Sequence, residues 1–388
     1  MAELTKAMLK EIDSWVDSGI DTEFIETGNI GFDMAISNGK GLPLGSSILF
    51  WGKPGCGKTT LFADVAKRLI QAHKAQGVPF KVLYIAVESS PELMKKLGLA
   101  EYIKTQDFLY VGKRLTWSQV ETLYDAVIEG KGKYKDVKLI VIDSTNNVLS
   151  DQNVKNSVSS GDFGTKAKER TNFWSKYLPL CKEKKITTFM VTQMRQKQNA
   201  GLGAFVETEK AAASFADLHN ADVILKCKTA SNNLDATKLE TGTAYGSTKS
   251  QKKYILILDP TNSASKNRID ETYPCEILLE KGVGAHNYYV VRKMLLFHGF
   301  LKKDGAWYSF PKEVAEALEF PEKKMYLSDV NNLIKDNIGK LVALLKEANC
   351  YSIVSSSKEV KEIAGTEDTD EVGVEQTCDA DEEANDEE

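Results

Sequence analysis

The sequence predicts an α/β protein built on a mainly parallel central sheet. Runs rich in Ile, Val, Leu and aromatic residues predict strands at 46–52, 80–88, 137–144, 186–193, 221–228, 253–259 and 275–281. The helical stretches that separate the early runs are 58–75, 91–97, 117–129 and 165–184. Apolar strands that alternate with helices are typical of a parallel sheet covered on both faces. The later strands have shorter connections, which predicts an antiparallel extension of the same sheet.

The chain is expected to have four parts. They are an N-terminal amphipathic helix (1–24), a large core (25–284), a small C-terminal domain (285–365) and an acidic, disordered tail (366–388). In the first part, apolar residues recur at helical spacing from Leu4 to Trp15. The third part is mixed and rich in charge.

Composition narrows the class of protein. With 42% hydrophobic and 27% charged residues, the chain has the composition of a soluble globular protein. No run approaches the roughly 18 apolar residues of a membrane span, and the N-terminus has no apolar core of a secretory signal. The six cysteines are scattered without a C-x-x-C pair, which favours a reducing compartment. We therefore expect a cytoplasmic protein with no membrane contact.

Charge is distributed unevenly along the chain. Residues 366–388 contain twelve Asp and Glu and no Lys or Arg; since the whole chain carries −5, residues 1–365 carry −5 + 12 = +7. A basic body with an acidic tail is common in nucleic-acid-binding proteins, where the tail competes with phosphates for the basic surface. A tail that only increases solubility is the alternative.

The stretch "GKPGCGKTT" at 52–60 matches the phosphate-binding pattern G-x-x-x-x-G-K-[ST]. It follows a predicted strand and opens a predicted helix, and this context makes the match specific. Its backbone N–H groups can surround phosphate oxygens, while Lys58 is expected to reach the β- and γ-phosphates of ATP and Thr59 to bind Mg²⁺. The predicted nucleotide-binding residues of this loop are Gly52, Lys53, Pro54, Gly55, Cys56, Gly57, Lys58, Thr59 and Thr60.

Two other predicted strands end in carboxylates. "LIVIDS" ends in Asp143 and Ser144, and a carboxylate beside a P-loop is placed to hold Mg²⁺ and its water shell. We expect Asp143 and Ser144 to complete the nucleotide site and Asp143 to be the second metal ligand, after Thr59. Glu88 ends the neighbouring strand and could orient the water that attacks the γ-phosphate. A surface glutamate at a strand end is the alternative for Glu88.

The stretch "VTQMRQKQNAGLGAFVETEK" (191–210) ends a predicted core strand in Gln193 and continues as a basic, Gly-rich segment. If that strand belongs to the same sheet, the Gln193 amide can hydrogen-bond the γ-phosphate and change position when the phosphate leaves. The segment behind it would then be a nucleotide-dependent switch. Arg195 and Lys197 suit phosphate backbones, and Phe205 could insert between bases.

Together these motifs resemble the RecA recombinases, including their phage UvsX and archaeal and eukaryotic relatives; bacterial RecA is nearest, and a phage-encoded member fits the divergence. Residues 25–60, "LIVIDS" and "VTQMR" look like their RecA counterparts. "SKNRI" (265–269) is similar to the RecA lysine pair that reaches ATP across the filament interface, and "KDGAWYSF" (303–310) resembles a RecA signature. The resemblance spans about 25–312.

The resemblance implies a RecA-like P-loop NTPase core and a DNA-dependent ATPase. Such a protein would use ATP and Mg²⁺, assemble as a head-to-tail helical homo-oligomer on single-stranded DNA, and pair it with double-stranded DNA in recombination and repair. Single-strand-binding and loader proteins are further implied partners. The implied compartment is the cytoplasm of a bacterium or of a phage-infected bacterium.

The resemblance also implies roles for individual residues. Glu88 would be the catalytic carboxylate and Gln193 the allosteric glutamine, acting with Lys58. Lys266 and Arg268 would act in trans on the neighbouring subunit's ATP.

For DNA, the resemblance implies two binding loops. The first would be 151–165, with Phe163 and Lys168 near the strand, and the second 194–213. The N-terminal helix would dock on the adjacent protomer.

Some positions depart from the family pattern. Leu93 stands where RecA offers an aromatic side chain to adenine, and Arg268 replaces a lysine, which keeps the charge but alters the geometry. The polar stretch 229–251 looks like a long insertion. Two alternatives remain open: a hexameric helicase or clock-type ATPase with the same core, and a scaffold that binds ATP or DNA without turnover.

Overall fold

The computed structural model describes residues 22–87, 91–151, 163–197, 208–229, 253–260, 266–280 and 282–348, with the backbone alone at 163–166, 195–197 and 208–210. The predictions for the N-terminal helix up to residue 21, for the insertion after Thr229 and for the acidic tail lie outside these residues. No helix within the described ranges is long and apolar enough to cross a membrane.

The described strands are mostly short, and they carry the core of the molecule. They are β1 (Phe24–Ile25), β2 (Leu42–Pro43), β3 (Ser47–Gly52), β4 (Lys81–Ala86), β5 (Phe108–Val111), β6 (Val137–Asp143), β7 (Thr187–Lys197), β8 (Thr208–Ala211), β9 (Val223–Thr229), β10 (Lys253–Asp259), β11 (Lys266–Asn267), β12 (Cys275–Glu280), β13 (Gly284–Ala285), β14 (Lys302–Asp304), β15 (Trp307–Ser309) and β16 (Met325–Tyr326).

The described α-helices lie between these strands and after them. They are α1 (Ile30–Ser37), α2 (Lys58–Ala75), α3 (Pro91–Lys96), α4 (Ala100–Lys104), α5 (Trp117–Ile128), α6 (Phe163–Glu183), α7 (Phe215–Asn220), α8 (Asn287–Phe297), α9 (Lys312–Leu318), α10 (Leu327–Asp336) and α11 (Ile338–Glu347). Short 3₁₀ turns cover Gly132–Tyr134 and Thr145–Asn147.

One large sheet confirms the predicted fold class. Its strand order is β13–β12–β10–β9–β3–β7–β6–β4–β5, with β8 pairing with β7 and β11 pairing with β9. The strands from β9 to β5 in this order are parallel, and β10, β12 and β13 extend the sheet antiparallel. The phosphate-binding strand β3 therefore lies inside the parallel part of the sheet.

Two strands differ from the sequence expectation. The antiparallel extension begins one strand later than expected, because β9 pairs parallel with β3 and the reversal occurs between β9 and β10. Strand β5 was not predicted; it has four residues, lies at the end of the strand order and, among the described strands, pairs with β4 alone. A short edge strand leaves too few residues for a recognisable pattern.

Hydrophobic layers cover both faces of the sheet. Every residue of β3 is buried, as expected for a parallel strand between two layers. Alternation places Phe50 on one face, where its ring packs against Phe62 of α2 at 4.7 Å between centroids. Trp51 belongs to the opposite layer together with Phe173 and Trp174 of α6. The P-loop strand is thus fixed from both sides.

The C-terminal part of the described chain packs on the hydrophobic layer that contains Phe50 and Phe62. Helix α8 contacts α1 and β12. Strands β14, β15 and β16 form a separate three-stranded sheet, and α10 contacts β15 and β16. The predicted domain boundary between residues 284 and 285 remains a prediction.

A buried carboxyl group fixes the turn before α1. Asn29 caps this helix by accepting a hydrogen bond from the Phe32 N–H at 3.1 Å. Asp33, in the first turn, accepts from the Thr27 hydroxyl at 2.7 Å and from the Thr27 N–H at 3.1 Å. Burial raises the pKa of Asp33 to about 7, while its hydrogen bonds from Thr27 oppose this rise.

We predict that Asp33 makes stability depend on pH. Because its folded-state pKa lies above the value near 3.8 of an exposed carboxyl, the folded state binds the proton more tightly. The stabilisation that protonated Asp33 contributes to the free energy of unfolding is therefore fully present at low pH. It is lost as pH rises toward 7, by up to about 4 kcal/mol. Chemical denaturation of the wild type and Asp33→Asn across this range should show their difference in unfolding free energy changing with pH. The exposed Glu313→Gln is the control; a parallel pH dependence for wild type and Asp33→Asn would contradict the assignment.

Candidate functional site

The predicted phosphate-binding loop connects β3 to α2. Two of its glycines, Gly52 and Gly57, are required by the space around them, and Gly57 also by its conformation. A Cβ on Gly52 would lie 2.2 Å from the Cys227 carbonyl oxygen, and one on Gly57, whose φ is +106°, would lie 2.6 Å from the Tyr254 ring. The loop therefore packs directly against β9 and β10, and only glycine fits at these two positions.

Lys58 points into this loop. Its ammonium group donates to the carbonyl oxygens of Gly52 and Lys53, at 3.0 Å each, and lies 3.6 Å from the Cys56 sulfur. The side chain is buried, at 8% exposure, in the first turn of an 18-residue helix. A buried ammonium and the positive end of a helix dipole thus face the same concavity, which is the arrangement that binds phosphate.

The two predicted Mg²⁺ ligands contact each other. The Thr59 hydroxyl donates to Asp143 Oδ2 at 2.7 Å, and the Tyr84 hydroxyl donates to the same oxygen at 2.8 Å. Asp143 is almost fully buried at the end of β6, and the next peptide bond, to Ser144, is cis. One carboxylate and one hydroxyl fit a cation that takes its remaining ligands from phosphates and water, as Mg²⁺ commonly does.

The rest of the predicted nucleotide site lies around these groups. Thr60 is buried at the start of α2 and hydrogen-bonds the Tyr254 hydroxyl, whose pKa is raised by burial. Ser144 is fully buried and accepts from the Asn147 amide at 3.3 Å. Pro54 and Gly55 are exposed at the tip of the loop. Glu88, the predicted catalytic carboxylate, lies outside the described residues; β4 ends two positions earlier, at Ala86.

Gln193 lies beside the P-loop. Strands β3 and β7 are parallel neighbours, and their register pairs Gly52 with Gln193. The Gln193 carbonyl oxygen accepts from the Ala212 N–H at 2.8 Å. The predicted meeting of Lys58, Asp143 and Gln193 at one edge of the sheet is therefore present in the structure.

The strand does not end at Gln193, and this corrects the predicted loop 194–213. Strand β7 continues to Lys197 and pairs antiparallel with β8, so that Arg195 lies opposite Lys210 and Lys197 opposite Thr208. The strand is longer than predicted because the residues on either side of the Gly-rich stretch continue to pair through their backbones. Phe205 lies outside the described residues, and the side chains of Arg195 and Lys197 are not described.

The other predicted DNA-binding loop is also shorter than 151–165. Helix α6 begins at Phe163, whose side chain is not described, and Lys168 is exposed on this helix. Asp151 accepts hydrogen bonds from the Ser118 N–H and hydroxyl, at 3.2 and 2.6 Å. Segments 152–162 and 198–207 therefore follow β6 and β7, which are adjacent strands of the sheet.

Lys266 and Arg268 lie away from the P-loop of their own chain. Lys266 on β11 pairs with Ile224 of β9, and its ammonium donates to the His219 carbonyl at 3.0 Å. The Arg268 N–H donates to the carbonyl oxygen of Asp222, directly before β9. These positions are three to five residues before the level of Gly52, or about 10–16 Å along the sheet at ~3.3 Å per residue. The pKa of Lys266 is lowered by burial and by the nearby Arg268 charge.

Several residues at the site were not predicted. Met194 and residues at the end of β9 line a cavity of about 200 Å³ together with Lys53 and Cys56. In this wall the Lys226 ammonium lies 5.0 Å from the centre of the Trp51 ring, and Lys228 is 2.5 Å from Asp259. The sequence gives no signal for these contacts, because it does not reveal that β9 is the neighbour of β3. Tyr84 could have been found, since it lies inside the predicted strand 80–88, four residues before Glu88.

The sheet, the glycine loop, Lys58 and the Thr59–Asp143 pair define the protein as a P-loop NTPase. A family model described as an AAA domain matches residues 37–199, a range that includes the loop, Asp143 and Gln193. The chain is 25% identical to the RecA protein of Streptomyces venezuelae over 323 residues, which is 81% of this chain and 73% of that protein. It is 24% identical to the RecA protein of Mycolicibacterium smegmatis over 341 residues, or 84% and 86% of the two chains.

These matches confirm the resemblance to the RecA-type family that the motifs indicated. They extend over most of the chain at low identity. The fold, the site and the matches together support a RecA-like P-loop ATPase.

We predict that Lys58→Ala weakens nucleotide binding by about 10- to 100-fold, because charge-assisted hydrogen bonds to phosphate contribute ~1.5–3 kcal/mol. Titration with a fluorescent ATP analogue in the presence of Mg²⁺ measures the change. Lys74→Ala, an exposed position on the same helix, is the matched control and should bind like the wild type. Equal affinities for Lys58→Ala and the control would exclude Lys58 from the phosphate site.

Proposed function

We propose that the protein is an ATP-dependent DNA strand-exchange recombinase that assembles as a head-to-tail helical filament on single-stranded DNA. The observation that carries the proposal is the register of Gln193 with Gly52. It joins the phosphate site directly to the hairpin of β7 and β8, which leads into the second predicted DNA-binding segment.

At the nucleotide, Lys58 and the backbone N–H groups of the loop bind the phosphates. Thr59 and Asp143 hold Mg²⁺, which neutralises phosphate charge when bound. Tyr84 keeps the Asp143 carboxylate oriented through its hydrogen bond. Glu88 orients the attacking water, and Gln193 reports whether the γ-phosphate is present.

For DNA, the two predicted segments follow strands that end at the same edge of the sheet. Segment 152–162 follows β6 and segment 198–207 follows β7, so ligands at Asp143 and Gln193 can influence both. Arg195, Lys197 and Lys168 supply positive charge for phosphates, while Phe163 and Phe205 supply aromatic surface for bases. ATP binding would then increase the affinity for DNA, and hydrolysis would allow the DNA to dissociate.

Between subunits, the separation of Lys266 and Arg268 from their own P-loop favours action on a neighbour. A head-to-tail interface presents different surfaces of the two partners to each other and, if it does not close, forms a helical filament. In this arrangement the amino-edge cations of one protomer complete the ATP site of the next. The RecA proteins that match the chain make this reading preferable to a ring-forming helicase.

The proposal is tested by measuring ATP hydrolysis with and without single-stranded DNA and by imaging the same samples with electron microscopy. We expect DNA to stimulate hydrolysis and the images to contain helical filaments. Glu88→Gln should bind ATP and DNA but hydrolyse slowly, so its filaments should persist. DNA-independent hydrolysis by closed rings would indicate the helicase or clock-type class, and binding without turnover would indicate a scaffold.

We predict that the double variant Lys266→Ala/Arg268→Ala loses DNA-stimulated hydrolysis while each protomer still binds nucleotide. A mixing experiment identifies the reason. When this variant is blended with Lys58→Ala, an intact P-loop can meet intact cations at about a quarter of the interfaces of an equal mixture. Hydrolysis should therefore recover in part. If the two variants co-assemble and yet no ratio restores hydrolysis, the cations act within their own chain.

A further inference from the structure

A buried polar network lies beside the nucleotide site and connects the turn after β6, strand β7 and the helices α6 and α7. Its centre is the ion pair of Arg170 on α6 and Asp217 on α7, in which Arg170 Nε donates to Asp217 Oδ1 at 2.6 Å. The Arg170 side chain is 6% exposed and that of Asp217 is fully buried. Two charges in such an interior need further partners, and here the further partners come from the turn after β6 and from α6 and α7 themselves.

The first set of partners is the turn that follows Asp143. Arg170 donates to the Thr145 hydroxyl at 2.5 Å and, at 3.5 Å, to the Asn146 side-chain oxygen. The Thr145 hydroxyl donates a hydrogen bond to the Val191 carbonyl oxygen at 3.1 Å, and the Asn146 amide donates to the Thr192 hydroxyl at 2.9 Å. The turn after the metal ligand is thereby tied to the two residues that precede Gln193.

The second set of partners lies on α6 and α7. The Trp174 indole N–H donates to Asp217 Oδ1 at 2.6 Å, and Asp217 Oδ2 accepts from the Ser214 N–H at 2.9 Å. Ser214 and Asp217 form a capping box at the start of α7, three residues after β8 ends. The same carboxylate therefore fixes the helix that follows the first DNA-binding segment and the helix that follows the second.

We propose that this network couples the nucleotide site to both DNA-binding segments, with Arg170, Asp217 and Thr145 as positioning residues. Because a buried polar group that loses its partner destabilises the fold, the connected segments are expected to move together. A displacement at Asp143 or Gln193 is then passed to α6 at Arg170 and to the start of α7 at Ser214 and Asp217. The DNA part of this inference rests on the proposed function.

Thr145 is the position at which the proposal is tested, because Thr145→Val removes one hydroxyl, keeps the shape and leaves the ion pair intact. Thr145→Ser restores the hydroxyl. The matched control is Thr187→Val on β7, where an equally buried hydroxyl donates to the Pro43 carbonyl at 2.8 Å, at the opposite end of the strand. Thr187→Val loses this one buried hydrogen bond, whereas Thr145→Val loses two, the bond from Arg170 and the bond to the Val191 carbonyl. Chemical denaturation of both variants is therefore measured as well, so that a difference in stability is separated from a loss of coupling.

Two readouts are measured on the full chain. The first is the ratio of ATP hydrolysis with and without single-stranded DNA, for which we expect Thr145→Val to lower the stimulation about 2- to 30-fold. Its basal hydrolysis should stay within about twofold of wild type, as should both activities of Thr187→Val and Thr145→Ser. The second readout needs no DNA: hydrogen exchange of peptides covering 163–170 and 211–220, with and without a non-hydrolysable ATP analogue.

The wild type should show nucleotide-dependent exchange in both peptides, and Thr145→Val should lose this dependence while Thr145→Ser keeps it. Equal behaviour of the Thr145→Val and Thr187→Val variants, or a wild type whose exchange ignores nucleotide, overturns the network as a coupling element. If the wild type hydrolyses ATP without regard to DNA, the recombinase proposal fails. The exchange readout still decides separately whether the network transmits the nucleotide state.

Discussion

The structure depends on one constraint of parallel sheets: neighbouring strands deliver their carboxyl ends to the same edge. Strand β3 lies between β7 and β9, so the P-loop that leaves it is flanked by the ends of both. Because a Cβ at Gly52 or Gly57 would collide with Cys227 or Tyr254, the loop is held against β9 and β10 at van der Waals distance. The polar chemistry of the site follows from this position, since Asp143 and Gln193 reach the same edge from β6 and β7.

The site is also buried, and burial fixes the orientation of its polar groups. Asp143 and Lys58 are each less than a tenth exposed, and each is hydrogen-bonded within the protein. In a medium of low dielectric, such bonds fix the orientation of the charged groups more strongly than they would in water. The Arg170–Asp217 pair extends the same principle, because it joins α6, α7, the turn after β6 and β7 through a network centred on two buried side chains.

The two edges of the sheet carry complementary groups. The carboxyl edge has the P-loop, Asp143 and Gln193, and the amino edge of β9 has Lys266 and Arg268. A protein that used all of them in one site would have to bring opposite edges of two copies together. This geometry connects the proposed filament to the nucleotide site, since assembly and the completion of the site would be the same event.

The sequence by itself determined the features that are local. The P-loop is a contiguous motif, and the runs around it and before Asp143 are apolar on both strand faces, so their burial and their ends could be read directly. The helices predicted between the early strands agree with the structure to within two residues, because their periodicity is continuous. The predicted meeting of Asp143 and Gln193 with the P-loop followed from one general rule about parallel strands.

Only the tertiary structure decided which distant segments are neighbours. Strand β9 follows β3 by more than 170 residues, and no local pattern reveals that its Lys226 and Cys227 pair with Trp51 and Gly52. The hairpin of β7 and β8 depends on backbone pairing between residues on either side of the Gly-rich segment. Composition alone predicts a loop throughout this region. Arg170 and Asp217 look like surface residues of two helices and become buried partners only when α6 and α7 pack together. The physical reason is that register and ion pairing are set by the contacts of the folded chain, and side-chain periodicity carries no information about which strand or helix will supply them.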